Sequence, residues 1–333
     1  MLLPNEYKTI VSNLYDISGP IIRYRIDSEF YQKKCSITDY IKLGNNDIPY
    51  WINVHKKNKI HGKDDECFEN AMSKLLDYGF TKDNFDFNKT FGYILDDSYW
   101  HEDDFTQIIV YPFLVRAGYL CNKNVFDYYK KRIQRIGNTI EKYSYNFRDT
   151  EKISNSKYCN EFRFINDWIY EPLPTIYDLY ACAYSIDSTI EFKDAIERIV
   201  KYVLHSRFQE IPDKAYVYDK SKKRYYAAGS IYHACFREER ELLEILLFSH
   251  FQSIQYYEPI MNKIRALLNT KDKKGFYCFK QSLLKEHKNA YQIYSGAHMG
   301  LGEDKKKKGY LTIESTFTML KILSNLYKNN ILL

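Results

Sequence analysis

The chain has 333 residues, of which 28% are charged and 45% hydrophobic, with 49 Lys and Arg against 43 Asp and Glu and a net charge of +6. These values are ordinary for a globular chain and argue against disorder. The lysines alternate with acids, so the one tight basic block, "KKKK" at 305–308, reads as a solvated loop and not as a nucleic-acid groove.

The longest apolar run, "LLEILLFSHF" at 242–251, is interrupted by Glu244 and His250. It is about half the roughly 20 residues that a bilayer span needs, so no membrane span is expected. The first residues, "MLLPNEYKTI", lack a basic region followed by an apolar core, which makes a cytoplasmic home the default expectation. Seven widely spread cysteines, without a Cys-x-x-Cys, fit a reducing compartment. The 33 tyrosines and 20 phenylalanines are an unusual excess.

Residues 1–60 read as a helical lead-in. Beyond it the spacing of apolar residues predicts helices near 64–79, 104–120, 122–143 and 174–186. The stretch "RFINDWIYEPLPTIYD" reads as one helix ending and another starting at Thr175. "IEFKDAIERIVKYVLHSRF" then places Ala195, Ile196, Ile199, Val200, Val203 and Leu204 on one face of a helix. "KAYVYDKSKKRYYAAG" at 214–229 is the best hairpin, with its turn near Lys220 and Ser221. "REERELLEILLFSHFQSI" is apolar on most sides and reads as an inner helix. A helix near 257–269 follows, and "LTIESTFTMLKILSNLYK" closes the series with Phe317, Leu320, Leu323 and Leu326 on its apolar face. The stops between them are "LDYGF", "RAGYL", "EPLPT" and "DKKGFY". Helix after helix with short connectors predicts an all-α fold with few or no strands, built from helical hairpins that bury their inner faces.

Several stretches resemble the α/α toroid of terpene cyclases and protein prenyltransferases. "IRALLNTKDKKGFYCF" looks like a helix end followed by that fold's glycine-aromatic turn, and "IESTFTMLKILSNLY" looks like its closing inner helix. Together with "LPTIYDLYACAYS" and "YSGAHMGLGED" they are similar to a group of uncharacterised bacterial proteins placed in this superfamily, over roughly residues 60–333. The resemblance implies a single toroid domain over 1–333 with a central cavity. Its chemistry transfers less readily. Cyclases of this fold that protonate an alkene use Asp-x-Asp-Asp, which this chain lacks. Protein prenyltransferases hold zinc with Asp-x-Cys and a distant histidine. The counterparts here are Asp178 and Cys182, four apart and thus on one helix face, and His233 in "YHACF". No metal site is assigned on that basis, since Cys182 and Cys235 read more simply as small core residues and His233 as a hydrogen-bonded helix residue.

The densest polar stretch is "ILDDSYWHEDDF" at 94–105. Asp96 and Asp97 end one helix and Asp103 and Asp104 begin the next, where acids are favoured by the free N–H groups and the dipole. A magnesium-binding Asp-Asp-x-x-Asp would need its third aspartate where Trp100 stands. A glycosidase would use a pair of carboxylates, with Tyr99, Trp100 and His101 against a sugar. "SGAHMGLGED" sets His298 and Glu303 among Gly296, Gly300 and Gly302, whose freedom lets the backbone approach a ligand or another segment. There is no Walker loop, Gly-x-Ser-x-Gly or His-Glu-x-x-His.

These stretches are expected to meet at one mostly apolar pocket. Its catalytic candidates are Asp97, His101, Asp178, His298 and Glu303, and its ligand-contacting candidates are Trp100, Tyr177, Tyr226 and His233. The expected partner is a small molecule, isoprenoid-like or glycan-like. A non-catalytic binding protein is the alternative, and the sequence fixes neither a cofactor nor an oligomeric state.

Overall fold

The fold is that of a computed structural model, which describes residues 3–42, 47–57, 59–96, 104–150, 158, 160–167, 170–212, 214–219, 223–228, 240–286, 293–296 and 298–331. Helices dominate it. The first four are α1 (Lys8–Ile17), α2 (Pro20–Arg25, running into a π-helical turn at Ile26–Phe30), α3 (Ile37–Ile41) and α4 (Ile48–Val54). Next come α5 (Phe68–Asp77), α6 (Phe85–Phe91), α7 (Asp104–Arg116) and α8 (Lys123–Tyr143). They are followed by α9 (Ile176–Ser185), α10 (Lys193–Leu204) and α11 (Ser206–Gln209). A leucine-rich helix (Glu241–Phe248), a further helix (Glu258–Leu268) and the last helix (Tyr310–Lys328) complete the set. Among the described residues no helix is long and apolar enough to cross a membrane.

Among the described residues the few strands form one small sheet. Strand β1 (Phe162–Arg163) runs parallel to β2 (Ala215–Asp219), which pairs antiparallel with β3 (Arg224–Ala227) in the register Val217 opposite Tyr226. The two strands of the hairpin expected over 214–229 are therefore present, while its turn near Lys220 and Ser221 lies outside the described residues. The stretch "RFIN" is not a helix end, however. Phe162 and Phe164 pack against Phe147, with ring centroids 6.3 and 6.1 Å apart, and this edge-wise aromatic cluster favours an extended backbone.

Local chemistry explains where the helices stop. Gly118, in the left-handed region at φ 92°, ends the run from α7, and no residue with a Cβ takes that conformation as cheaply. Thr175 caps α9: its hydroxyl accepts from the Asp178 N–H while the Asp178 carboxylate accepts from the Thr175 N–H, a reciprocal capping box. The leucine-rich helix is shorter than its apolar run predicts. The Ser249 hydroxyl turns back onto Leu246 O at 2.6 Å, and the chain leaves the helix before Phe251.

The most enclosed helices pack as neighbours in series. Helix α5 lies on α7, α7 on α9, α9 on the leucine-rich helix, and that helix on the last one. Helices α7 and α9 are apolar nearly all round, as buried inner helices must be, whereas α8 and α10 are amphipathic and bury one face each. The N-terminal helices share the same core. Val11, Leu14 and Ile22 are fully buried, α1 packs on the last helix, and Phe30 meets Phe317 with ring centroids 5.7 Å apart.

Candidate functional site

Between these inner helices lies a cavity of about 390 Å³, within the usual range of small-molecule pockets. Each wall is a short arc of one element. Leu242, Leu243 and Leu246 come from the leucine-rich helix, Tyr180 and Tyr184 from one face of α9, and Phe317, Thr318 and Lys321 from one face of the last helix. Tyr24, Arg25, Ser28 and Glu29 come from α2 and its π-turn, and Leu76, Asp77 and Arg116 from the C-terminal ends of α5 and α7. Gly79, Phe80 and Thr81, just past α5, and the segment containing Ile293, Gly296, His298 and Leu301 also line it.

The charged groups Arg25, Glu29, Asp77, Arg116 and Lys321 of this cavity form one linked cluster. Arg25 Nε donates to Glu29 Oε1 at 2.6 Å, its Nη1 donates to Asp77 O at 2.7 Å, and its guanidinium lies 4.5 Å from the centre of the Phe317 ring. Glu29 Oε2 accepts from Lys321 Nζ. Burial pushes the Glu29 carboxyl up, but Arg25 and Lys321 outweigh it and hold it at about 2, so Glu29 is a fixed anion. On the other side Arg116 Nη1 pairs with Asp77 Oδ1 at 2.8 Å and also donates to the Tyr180 hydroxyl, and its Nη2 donates to Leu76 O at 3.0 Å. The Arg116 guanidinium lies 4.6 Å from the Tyr184 ring centre.

The glycine-rich segment is held by buried charges on neighbouring elements. Lys74, on α5, donates to Met299 O and Gly300 O, and Glu314, on the last helix, accepts from His298 Nε2 and from Leu301 N, each at 2.8 Å. Glu69 accepts from Ile293 N and from the Tyr177 hydroxyl, each at 2.7 Å, and pairs with His61 at 2.6 Å. Gly296 has φ 64°, and a Cβ there would stand 2.7 Å from the Arg240 Cα. The backbone itself therefore demands glycine.

Of the nine residues singled out from the sequence, His298 lines the cavity. Tyr177 is buried on α9 beside it and anchors the glycine-rich segment through Glu69. Glu303 ties that segment to the N-terminal region, accepting from Gly19 N at 2.5 Å, and burial raises its carboxyl above the usual range. Tyr226 lies on β3, where Arg224 donates to its hydroxyl, and it does not line the cavity. Asp97, Trp100, His101 and His233 lie outside the described residues.

Asp178 does not line the cavity either. It is fully buried, pairs with Arg132 through two hydrogen bonds of 2.8 and 2.9 Å, and accepts from Tyr111 and from the Thr175 hydroxyl and N–H. Burial raises its carboxyl, yet Arg132 and these hydrogen bonds prevail and hold it below the ordinary value. Its oxygens are committed to the protein, and burial pushes the Cys182 thiol up, away from the thiolate a metal would need. Among the described residues no group of three His, Cys, Asp or Glu side chains is arranged to hold a metal ion.

Sequence reasoning passed over Arg25, Glu29, Arg116 and Lys321. Arg25 and Glu29 carry a local signal, an oppositely charged pair four apart, but such pairs are common on solvated helix faces. Lys321 had a better one, as a lone cation between Phe317 and Leu323 in an apolar helix.

No protein-family model, curated protein or solved structure matches the chain.

Proposed function

We propose that the chain is an α/α toroid whose central cavity binds a small, mostly apolar molecule. The observation that carries this reading is the cavity itself: about 390 Å³, walled by leucines and tyrosines from five separate segments, with its charged groups gathered into one cluster. The serial packing of α5, α7, α9, the leucine-rich helix and the last helix, with α2 filling the gap between last and first, supports the toroid. The sequence resemblance points the same way, toward an isoprenoid-like ligand.

The glycosidase alternative fares worse at this cavity. Glu29 is held ionised by two cations and cannot serve as the proton donor that glycoside cleavage requires, and Asp77 is engaged by Arg116. Without an Asp-x-Asp-Asp motif, protonation of an alkene lacks its usual acid. Incubation with squalene or geranylgeranyl diphosphate is expected to give no cyclic hydrocarbon.

Farnesol, a neutral isoprenoid alcohol, tests binding directly by titration calorimetry. Saturable binding at one site is expected, and Leu246→Trp, which fills the cavity from its apolar wall, should abolish it. No binding, or binding indifferent to Leu246→Trp in a protein that remains helical, would overturn the reading.

A further inference from the structure

The charged residues of the cavity do not balance. Arg25, Arg116 and Lys321 line it as cations, and Glu29 and Asp77 as anions. Glu29 serves two cations, one oxygen each, and Asp77 serves Arg116. Among the described residues lining the cavity, one positive charge is left over. Donors are left over as well. Lys321 has three N–H groups and gives one to Glu29, and Arg25 directs Nε and Nη1 at the protein while its Nη2 has no partner among the described residues. Burial pulls the Lys321 amine below its ordinary value, and an anion in the cavity would hold it charged and take up the spare donors.

We propose that the ligand of this cavity is a monoanion, an apolar body ending in a single carboxylate, whose head group sits among Arg25, Arg116 and Lys321. The inference rests on the cavity being the small-molecule site, and it names the class of molecule that site takes. A carboxylate has two oxygens for the unused donors and one charge for the one in excess. A diphosphate brings more negative charge than this cluster offsets, with Glu29 and Asp77 standing in its way. The leucines and tyrosines opposite accept the apolar body.

Three probes with the same ten-carbon tail separate the outcomes by titration calorimetry at pH 7.5: decanoate, methyl decanoate and decyl phosphate. Decanoate is expected to bind at least about tenfold more tightly than its methyl ester, the scale of one charge-assisted hydrogen bond. Lys321→Met should remove that preference. Glu29→Gln, which adds to the positive excess, should shift preference toward decyl phosphate, and this variant checks the charge balance independently of Lys321→Met. Equal binding of acid and ester by the unaltered protein would overturn the monoanion while leaving the apolar cavity standing. Tighter binding of decyl phosphate than of decanoate by the unaltered protein would overturn the single charge. Binding of none of the three would overturn both the monoanion and the cavity reading beneath it.

Discussion

Asp178 shows how a carboxylate in a suggestive setting is claimed by the fold. The sequence carries the signal for this: Thr175 and Asp178 stand three apart at a helix start, the spacing of a capping box, and the acid's role as a cap was legible there. The partner that neutralises it was not, because Arg132 lies on α8, 46 residues away. Removing one member of a buried pair strands the other, so Arg132→Met should cost about 3–5 kcal/mol. The double variant Arg132→Met with Asp178→Asn should cost less than Arg132→Met alone, and urea denaturation of the set measures the difference. Two histidines set a pH dependence at the same scale. Burial holds His250 down at about 3, with Lys321 adding to the effect, and burial holds His55 at about 4. Below the ordinary value of 6.5 the unfolded chain takes up protons on these rings that the folded one refuses. Their contribution to stability is therefore complete above about pH 6.5 and is lost as the pH falls toward 4 and then 3. The urea midpoint should fall between pH 7 and pH 5, and His250→Phe should shrink that fall; an unchanged fall would show that His250 is protonated in the folded protein.

At the scale of elements, legibility followed periodicity. The helices expected near 122–143 and 311–328 occupy Lys123–Tyr143 and Tyr310–Lys328, since their apolar spacing is long and uninterrupted. The leucine-rich run was harder: being apolar on most sides it has little phase, and its early stop depends on a Ser249 hydroxyl that pattern does not weigh. The glycine-rich segment was recognised by composition but not by purpose. Its glycines serve close packing, and the clearest case is Gly296, whose absent Cβ would meet the Arg240 backbone. Gly296→Ala should cost roughly 1–3 kcal/mol, the range for a residue forced into a sparsely populated conformation, and weaken ligand binding in the cavity that this segment lines. Thr175→Ala should cost about 1 kcal/mol through the lost cap of α9 without that effect on binding. Thermal denaturation in parallel with farnesol titration distinguishes them; a Gly296→Ala protein as stable as the parent would contradict the close approach.

On the scale of the whole molecule, what escaped the sequence is the cavity's charged half. Lys321 and Glu29 are 292 residues apart, and no local pattern can announce a partner at that distance. The tyrosine excess was visible and in part proved to be wall, through Tyr24, Tyr180 and Tyr184. Circular dichroism should be dominated by helix with a minor strand contribution, in keeping with one three-stranded sheet among many helices in the described residues. Deleting residues through Tyr31 would strip α1, α2 and the π-turn from the core and uncover Phe317 on the last helix. The remainder should lose its cooperative unfolding transition, and a truncated protein with an unchanged melting curve would refute that dependence.

The seam between α2 and the last helix also sets the order in which the chain can be completed during synthesis. Gly19 waits for Glu303, 284 residues later, and Glu29 waits for Lys321. At roughly 5–20 residues per second that delay is on the order of 15–60 s, during which the apolar face of α1 lacks the last helix it packs on. A nascent chain thus carries apolar surface uncovered until its last helix emerges, and contacts so distant in sequence make slow folding the expectation even in isolation.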